Sequence, residues 1–181
     1  MPTLNETLAF NQLPADVRAM FVGQAARRLH LPAGSALYKF TGFGVMPGRA
    51  YADMSPWWAL ETPVDAANDP GFSGHLRQAQ AEGRSMLDYA RDRFAVMLQW
   101  NSLGVPNTGL AKAVHITLKQ PVYGFGGLCQ RVHEAPAEGG RRIKPGREAV
   151  APPKFRGGAY QVFIPNLPSS AVNAGRTTMV P

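Results

Sequence analysis

The sequence predicts an α+β fold, and three observations carry that reading. Short β-rich runs at 35–41, 113–118 and 159–164 lie near glycine or proline turns. Apolar residues recur at helical spacing in two separate stretches, 14–29 and about 74–100. A chain of 181 residues fits one domain with a sizeable core, here placed at 13–181 behind a loose leader at 1–12.

Composition narrows the function classes. Apolar residues make up 45% and charged residues 17%, which is globular and not disordered. Nineteen basic against twelve acidic residues leave a net charge of +7, which favours anionic partners: nucleotides, nucleic acid or an acidic protein surface. Cys129 is the single cysteine, so an intrachain disulfide and a multi-cysteine zinc site are excluded. No apolar run is long enough to cross a bilayer, and no membrane partner is expected. The first residues lack the basic and apolar parts of a signal peptide, so action in the cytoplasm is expected, with export by a signal-independent route left open.

Taken in order, Pro14 suits a first helical turn, and Val17, Met20, Phe21, Ala25 and Leu29 form the stripe of a packing helix. The Leu31-Pro32-Ala33-Gly34 turn opens the strand at 35–41. There Leu37, Lys39 and Thr41 share one face, while Ala36, Tyr38 and Phe40 share the other. An inward Lys39 needs an anionic partner; an edge lysine faces water. The Gly-rich stretch 42–53 carries Arg49, and Ser55-Pro56-Trp57-Trp58 follows. Adjacent tryptophans on a strand oppose each other, so they cannot both enter one core. One of them lining a cleft would offer a flat wall to a ring; plain packing is the commoner role.

A helical pair is expected from about 74 to 100, broken near Gly83. Ser85 and Asp88 resemble a capping box, and Met86, Ala90, Phe94, Met97 and Leu98 make the buried stripe. Asp88, Arg91, Asp92 and Arg93 provide its solvated side. His115 lies on the 113–118 strand with no second ligand at metal spacing, and is expected to be structural. A short strand from Pro121 should run into a glycine-rich bend at 124–127. Six basic residues, Arg141, Arg142, Lys144, Arg147, Lys154 and Arg156, crowd sixteen positions; they form a solvated loop or a loop gripping phosphates. Glu148 lies among them.

The run Phe155-Arg-Gly-Gly-Ala-Tyr-Gln-Val-Phe-Ile-Pro-Asn-Leu167 is the most distinctive stretch. In a strand here, Gln161 and Phe163 share one face, and Tyr160, Val162 and Ile164 the other. Either the Gln161 amide finds a backbone partner in the core, or it points into a site.

Together these segments resemble the ADP-ribosyltransferase-like superfamily over roughly 31–167. The Leu-Pro-x-Gly turn and 35–41 strand are similar to its opening strand, Ser55-Pro56-Trp57-Trp58 to its second element, and Gly157-Gly158-x-x-Gln161 to the late strand of tuberculosis-necrotizing-toxin-like NAD glycohydrolases. The resemblance implies a split β-sandwich core with an N-terminal helix and a central helical segment. It implies NAD as substrate, no metal, and a site of Gln161, Lys39 and Ser55. Lys39 and Arg49 would neutralise phosphates, Trp57 or Trp58 would stack on a ring, and Tyr160 is a further ring candidate. A lysine replaces the expected arginine and a glutamine the transferase glutamate, so hydrolysis stands ahead of transfer unless Glu148 swings in.

The implied protein is an NAD-consuming bacterial toxin or secreted effector with a protein or nucleic-acid acceptor if it transfers, and with an immunity protein as partner. The competing classes are a non-catalytic basic binding protein for nucleic acid or an acidic partner, and a structural or assembly protein. Under the first reading, the Lys39 and Gln161 side chains should reach one cleft walled by Trp57 or Trp58.

Overall fold

The computed structural model describes residues 3–41, 56–63, 69–94, 112–130, 156–173 and 177–179. Within them, β1 (Arg27–Leu31), β2 (Ala36–Thr41), β3 (Trp57–Leu60), β4 (Lys112–Leu118), β5 (Val122–Leu128), β6 (Tyr160–Phe163), β7 (Val172–Asn173) and β8 (Thr177–Met179) join in one sheet. Its order is β1-β5-β6-β3-β2-β4-β7, with β8 also on β4, and every strand pairing is antiparallel. The helices are α1 (Ala15–Ala19), α2 (Gly71–Ala81) and α3 (Met86–Arg93). The α+β expectation holds at this level: a largely antiparallel sheet with few helices.

The N-terminal helix is shorter than its apolar spacing predicts. α1 stops at Ala19, and Gly23 (φ 63°) and Gln24 (φ 51°) turn the chain out of the helix. Arg27–Leu31 then runs as a strand in which Leu29 and Leu31 are buried and Arg27, Arg28 and His30 are exposed. Of the five stripe residues, Val17 lies in α1, Phe21 bridges to Cys129 and Leu29 lies in β1. Residues 3–13 also depart from a loose leader. Leu4 bridges to Val122, the Asn5 amide donates to the carbonyls of Tyr123 (3.2 Å) and Pro165 (2.8 Å), and Phe10 packs on Phe21 and Phe125.

Between the helices the sequence signals are sharper. α2 begins at Gly71, three residues before the expected start, where the Asp69 carboxylate accepts the Gly71 N–H. It ends at Ala81 with Glu82 as its C-cap, and Gly83 just beyond has a φ of 64°, which suits the left-handed turn after a helix. Ser85 caps α3 by accepting from the Asp88 N–H at 3.1 Å, and its hydroxyl donates to the Asp88 carboxylate at 2.8 Å. The shorter acid thus reaches the cap's hydroxyl where a glutamate would reach its backbone.

β5 runs straight through the glycines expected to bend it. The reason is close packing: a Cβ on Gly126 would stand 2.3 Å from Tyr160 Oη and 2.5 Å from Leu29 Cδ1. Glycine here admits neighbouring side chains onto the strand.

The division of β3 positions the rest. β3 pairs with β2 through Ala59 and Leu60, and with β6 through Trp58 and Trp57. Each partner strand thus meets a different half of β3, which links β2 to β6 within the one sheet. One face carries Leu37, Trp58, Leu60, Val114, Ile116, Val162 and Ile164 in a continuous apolar core shared by strands from both ends of the sheet. On the other face Tyr38, Ala59 and Ala113 meet Ala79, Met86, Tyr89, Ala90 and Phe94 of α2 and α3.

Gly126→Ala should lower stability by about 1–3 kcal/mol, the usual size of an overpacking penalty, because Leu29 and Tyr160 must both move. Thermal denaturation followed by circular dichroism checks it; an unchanged midpoint would show that β5 has room the packing denies.

Candidate functional site: a lysine over an indole where the sheet divides

The strand registers fix where each candidate points. Lys39 lies opposite Val114, and Trp58 opposite Val162, so all four share the apolar face with Leu37. Tyr38 lies opposite both Ala59 and His115, and Phe163 opposite Trp57. Gln161, two residues before Phe163, therefore belongs with Tyr38, Ala59 and His115 on the helix-covered face.

On the apolar face, Lys39 Nζ sits 4.3 Å from the centre of the Trp58 ring. The negative face of the indole attracts the ammonium. Burial acts the other way, since the charged form loses hydration, and it lowers the Lys39 pKa to about 7. The outcome is an amine that gains or loses its proton near neutral pH, with a flat aromatic surface against it. An anion arriving beside it would favour the protonated form. Trp57 leaves the opposite face, as adjacent strand residues must, and packs 5.2 Å from Phe21 and 4.9 Å from Phe163 between ring centres. Tyr160 is buried on the Lys39 face against Leu29 and β5.

Gln161 has a different occupation. Its Nε2 donates to the Phe94 carbonyl at 2.9 Å. A helix leaves its last four carbonyls without intrahelical donors, and 156–161 supplies donors to those ending α3. Gly157 N–H bonds the Asp92 carbonyl at 2.9 Å, and Ala159 N–H bonds the Arg93 carbonyl at 3.0 Å. The backbone must come so close that a Cβ on Gly157 (φ 66°) would lie 2.7 Å from the Gln130 carbonyl oxygen. Of the two readings open in the sequence, the amide with a backbone partner is the one present. Lys39 and Gln161 do not reach one cleft, because an odd register offset sends them to opposite faces. Ser55, Arg49 and Glu148 lie outside the described residues.

Sequence reasoning missed the ionic cluster that pins this segment. Asp92, placed on a solvated face by its spacing, is buried and accepts from Arg156 N–H (2.8 Å), Arg156 Nε (2.7 Å) and Arg84 Nη1 (2.7 Å). Burial alone would raise its carboxyl pKa, but the Arg156 and Arg84 hydrogen bonds outweigh it and pull the value to about 2. Arg156, assigned to a solvated or phosphate-gripping run, is tied instead to Asp92 and Glu82. A hint existed in the chain: Arg156 directly precedes the Gly-Gly pair, where a side chain can turn back on its own segment.

A second buried cluster lies beneath α2. His75 Nδ1 is 3.1 Å from the Tyr89 hydroxyl, which also bonds the Gln78 amide oxygen, and His75 Nε2 is 3.7 Å from Asp69 Oδ1. Burial keeps this imidazole neutral, its pKa lowered to about 4. His115 Nδ1 meets Glu61 Oε2 at 3.2 Å, with the His115 ring edge-on to Phe72. The expectation of a structural His115 matches this setting. Cys129 is buried; burial raises its thiol pKa to about 11, and its Sγ contacts the Arg93 carbonyl at 2.9 Å.

No family model matches the sequence, and no curated protein matches it. Among solved structures, one described as Tne2 in complex with Tni2 aligns over 87% of this chain and 93% of that one, with a TM-score of 0.43 and 16% identity. The site residues are therefore judged on their own geometry.

Lys39 gives a pH signature with a definite sign. From about pH 7 towards 10.5 the unfolded chain holds a proton at this amine that the folded chain has released. Its contribution therefore makes stability rise with pH over 7–9, and Lys39→Met should flatten that slope. Urea midpoints at three pH values test this; parallel slopes in the two proteins would place the amine in water.

Proposed function

We propose that the protein is an NAD-consuming enzyme that cleaves the nicotinamide–ribose bond, by hydrolysis or by ADP-ribosyl transfer to a macromolecular acceptor, and that it serves as a toxin or delivered effector. The observation that carries this reading is the Lys39 ammonium held over the Trp58 indole where β2 and β3 separate. A compact cation suits a pyrophosphate, and an indole face suits an adenine or nicotinamide ring. The resemblance of 31–167 to the ADP-ribosyltransferase-like superfamily, and of Gly157-Gly158-x-x-Gln161 to its NAD glycohydrolases, supplies the substrate. An immunity protein and a specialised secretion route belong to the same reading.

The chemistry asks little of the protein. As the C–N bond breaks, its electron pair leaves with neutral nicotinamide and the ribose becomes oxocarbenium-like. Water adds to that carbon and gives its proton to solvent, forming ADP-ribose; in transfer, an acceptor group takes the place of water. Holding the substrate in a strained, water-poor geometry supplies much of the acceleration. Lys39 contributes charge at the phosphates, and Trp58, buried in the core on the same face, becomes a ring wall only where the substrate displaces the packing above it. The stretch 42–55 joins β2 to β3 and brings Arg49 and Ser55 into the chain between those two residues. Gln161 supports this arrangement from the other face by holding β6 to the end of α3.

Incubating the purified protein with NAD and following released nicotinamide tests the reading. Lys39→Ala should raise KM about tenfold or more, the loss expected for one charge-assisted contact. For the native protein KM should climb above pH 7 as the amine deprotonates. Gln161→Ala should lower the melting temperature and leave KM unchanged. Loss of all turnover in a fully folded Gln161→Ala would put its carboxamide beside the ribose after all. Intact NAD after long incubation, with tight salt-sensitive RNA or DNA binding, would replace the enzyme by a basic binding protein.

A further inference from the structure

A cavity of about 380 Å³ lies between α2, α3 and the Gly158–Ala159 segment, on the face opposite Lys39. Its polar lining comes from His75, Gln78, Glu82, Tyr89 and Arg93, and the small apolar side chains of Pro70, Ala81 and Ala159 complete the wall. We infer that this cavity is a binding site for a small organic oxyanion, held by the Arg93 guanidinium and the Tyr89 hydroxyl and distinct from the Lys39–Trp58 site.

Charge comes first. Arg84, Arg93 and Arg156 all converge on Glu82, whose oxygens they meet at 3.5, 2.7 and 3.3 Å, and Arg84 and Arg156 also hold Asp92. Three guanidiniums share the Glu82 and Asp92 carboxylates beside the cavity; Arg93 and Glu82 themselves line it, and the Asp69 carboxylate lies behind His75. Arg93 donates one Nη2 hydrogen bond to Glu82, while its buried Nε meets no hydrogen-bond partner among the described residues. Glu82 is already engaged by all three, and the Arg93 hydrogen bond leads the causes that lower its pKa. Its charge is thus largely offset by these guanidiniums, whereas Arg93, with one of its five N–H groups on Glu82, retains donors to give.

Donors on the second side agree. The Tyr89 hydroxyl bonds the Gln78 amide oxygen and His75 Nδ1. In a neutral imidazole one ring nitrogen carries the hydrogen. The phenol proton is given to the Gln78 amide oxygen, and a ligand oxyanion competes with that neutral acceptor for it. Burial keeps Tyr89 protonated, its pKa raised, so it remains a donor at neutral pH. The cavity thus offers a cation and a neutral hydroxyl donor, with apolar surface for an organic body. Gly158 lies on its edge, and among the described residues nothing comes within 4 Å of its Cβ position.

The test uses the full chain with 13C-labelled histidine, in which four imidazoles are observed by NMR. Sodium benzoate, inorganic phosphate and the neutral benzamide are titrated in separate arms. A saturable shift of the His75 ring with benzoate and none with benzamide is expected. Benzoate above phosphate assigns a carboxylate ligand, and phosphate above benzoate a phosphate ester. Arg93→Met should weaken the preferred anion about tenfold or more. Tyr89→Phe, which removes only a hydroxyl, should weaken it several-fold, and decides the matter if Arg93→Met fails to fold. A His75 ring unmoved by either anion, an equal response to benzamide, or undiminished binding in the folded variants would overturn the inference. NAD turnover plays no part in this readout, so the two proposals fail separately.

Discussion

The structure depends on how four residues of β3 share their hydrogen bonds. Ala59 and Leu60 face β2, and Trp57 and Trp58 face β6. A strand paired along its whole length on both sides would close the sheet there. Dividing the pairing joins β1, β5 and β6 to β2, β4 and β7 through these four residues. Lys39 follows the last paired residue of β2 in this division, and Gln161 precedes the first paired residue of β6. The two polar side chains occupy positions where a regular sheet would bring a neighbouring strand close.

The faces differ in chemistry because they differ in cover. The Lys39 face is packed by other strands of the same sheet and is nearly all branched aliphatic and aromatic, so one amine meets an indole and little water. The opposite face is covered by short helices, and helix ends bring unpaired backbone groups. Buried polar side chains gather there: Asp69 at the start of α2, Asp92 at the end of α3, and His75 and His115 between. Asp69 accepts from α2's first N–H, while the Asp92, Arg93 and Phe94 carbonyls are met from the 156–161 segment. Much of this polar interior follows from placing helix termini over a sheet, and the cavity beside it lies where those termini diverge.

The sequence made several elements legible. Strands at 36–41, 112–118 and 160–163 were visible because alternation and terminating turns are local properties of the chain. The break at Gly83 and the Ser85 cap were visible for the same reason. So was the separation of Trp57 from Trp58, and of Gln161 from its two neighbours, since alternate projection is built into an extended backbone. Arg27–Leu31 was misread because Leu29 satisfies helical spacing from Ala25 and strand alternation with Leu31 equally well. Only pairing with β5 chooses between them.

What the chain determined alone is the set of strands, the turns between them, the parity of each side chain on its strand, and an excess of positive charge. Tertiary structure decided which strands meet and in what register. That register placed Lys39 with Trp58, turned Gln161 towards the Phe94 carbonyl, and drew Asp92 and Arg156 together from sixty-four residues apart. The physical reason is that local preference acts over a few bonds, whereas register is set by how two distant segments bury their apolar sides at once. A shift of one residue exchanges the faces of every side chain on a strand.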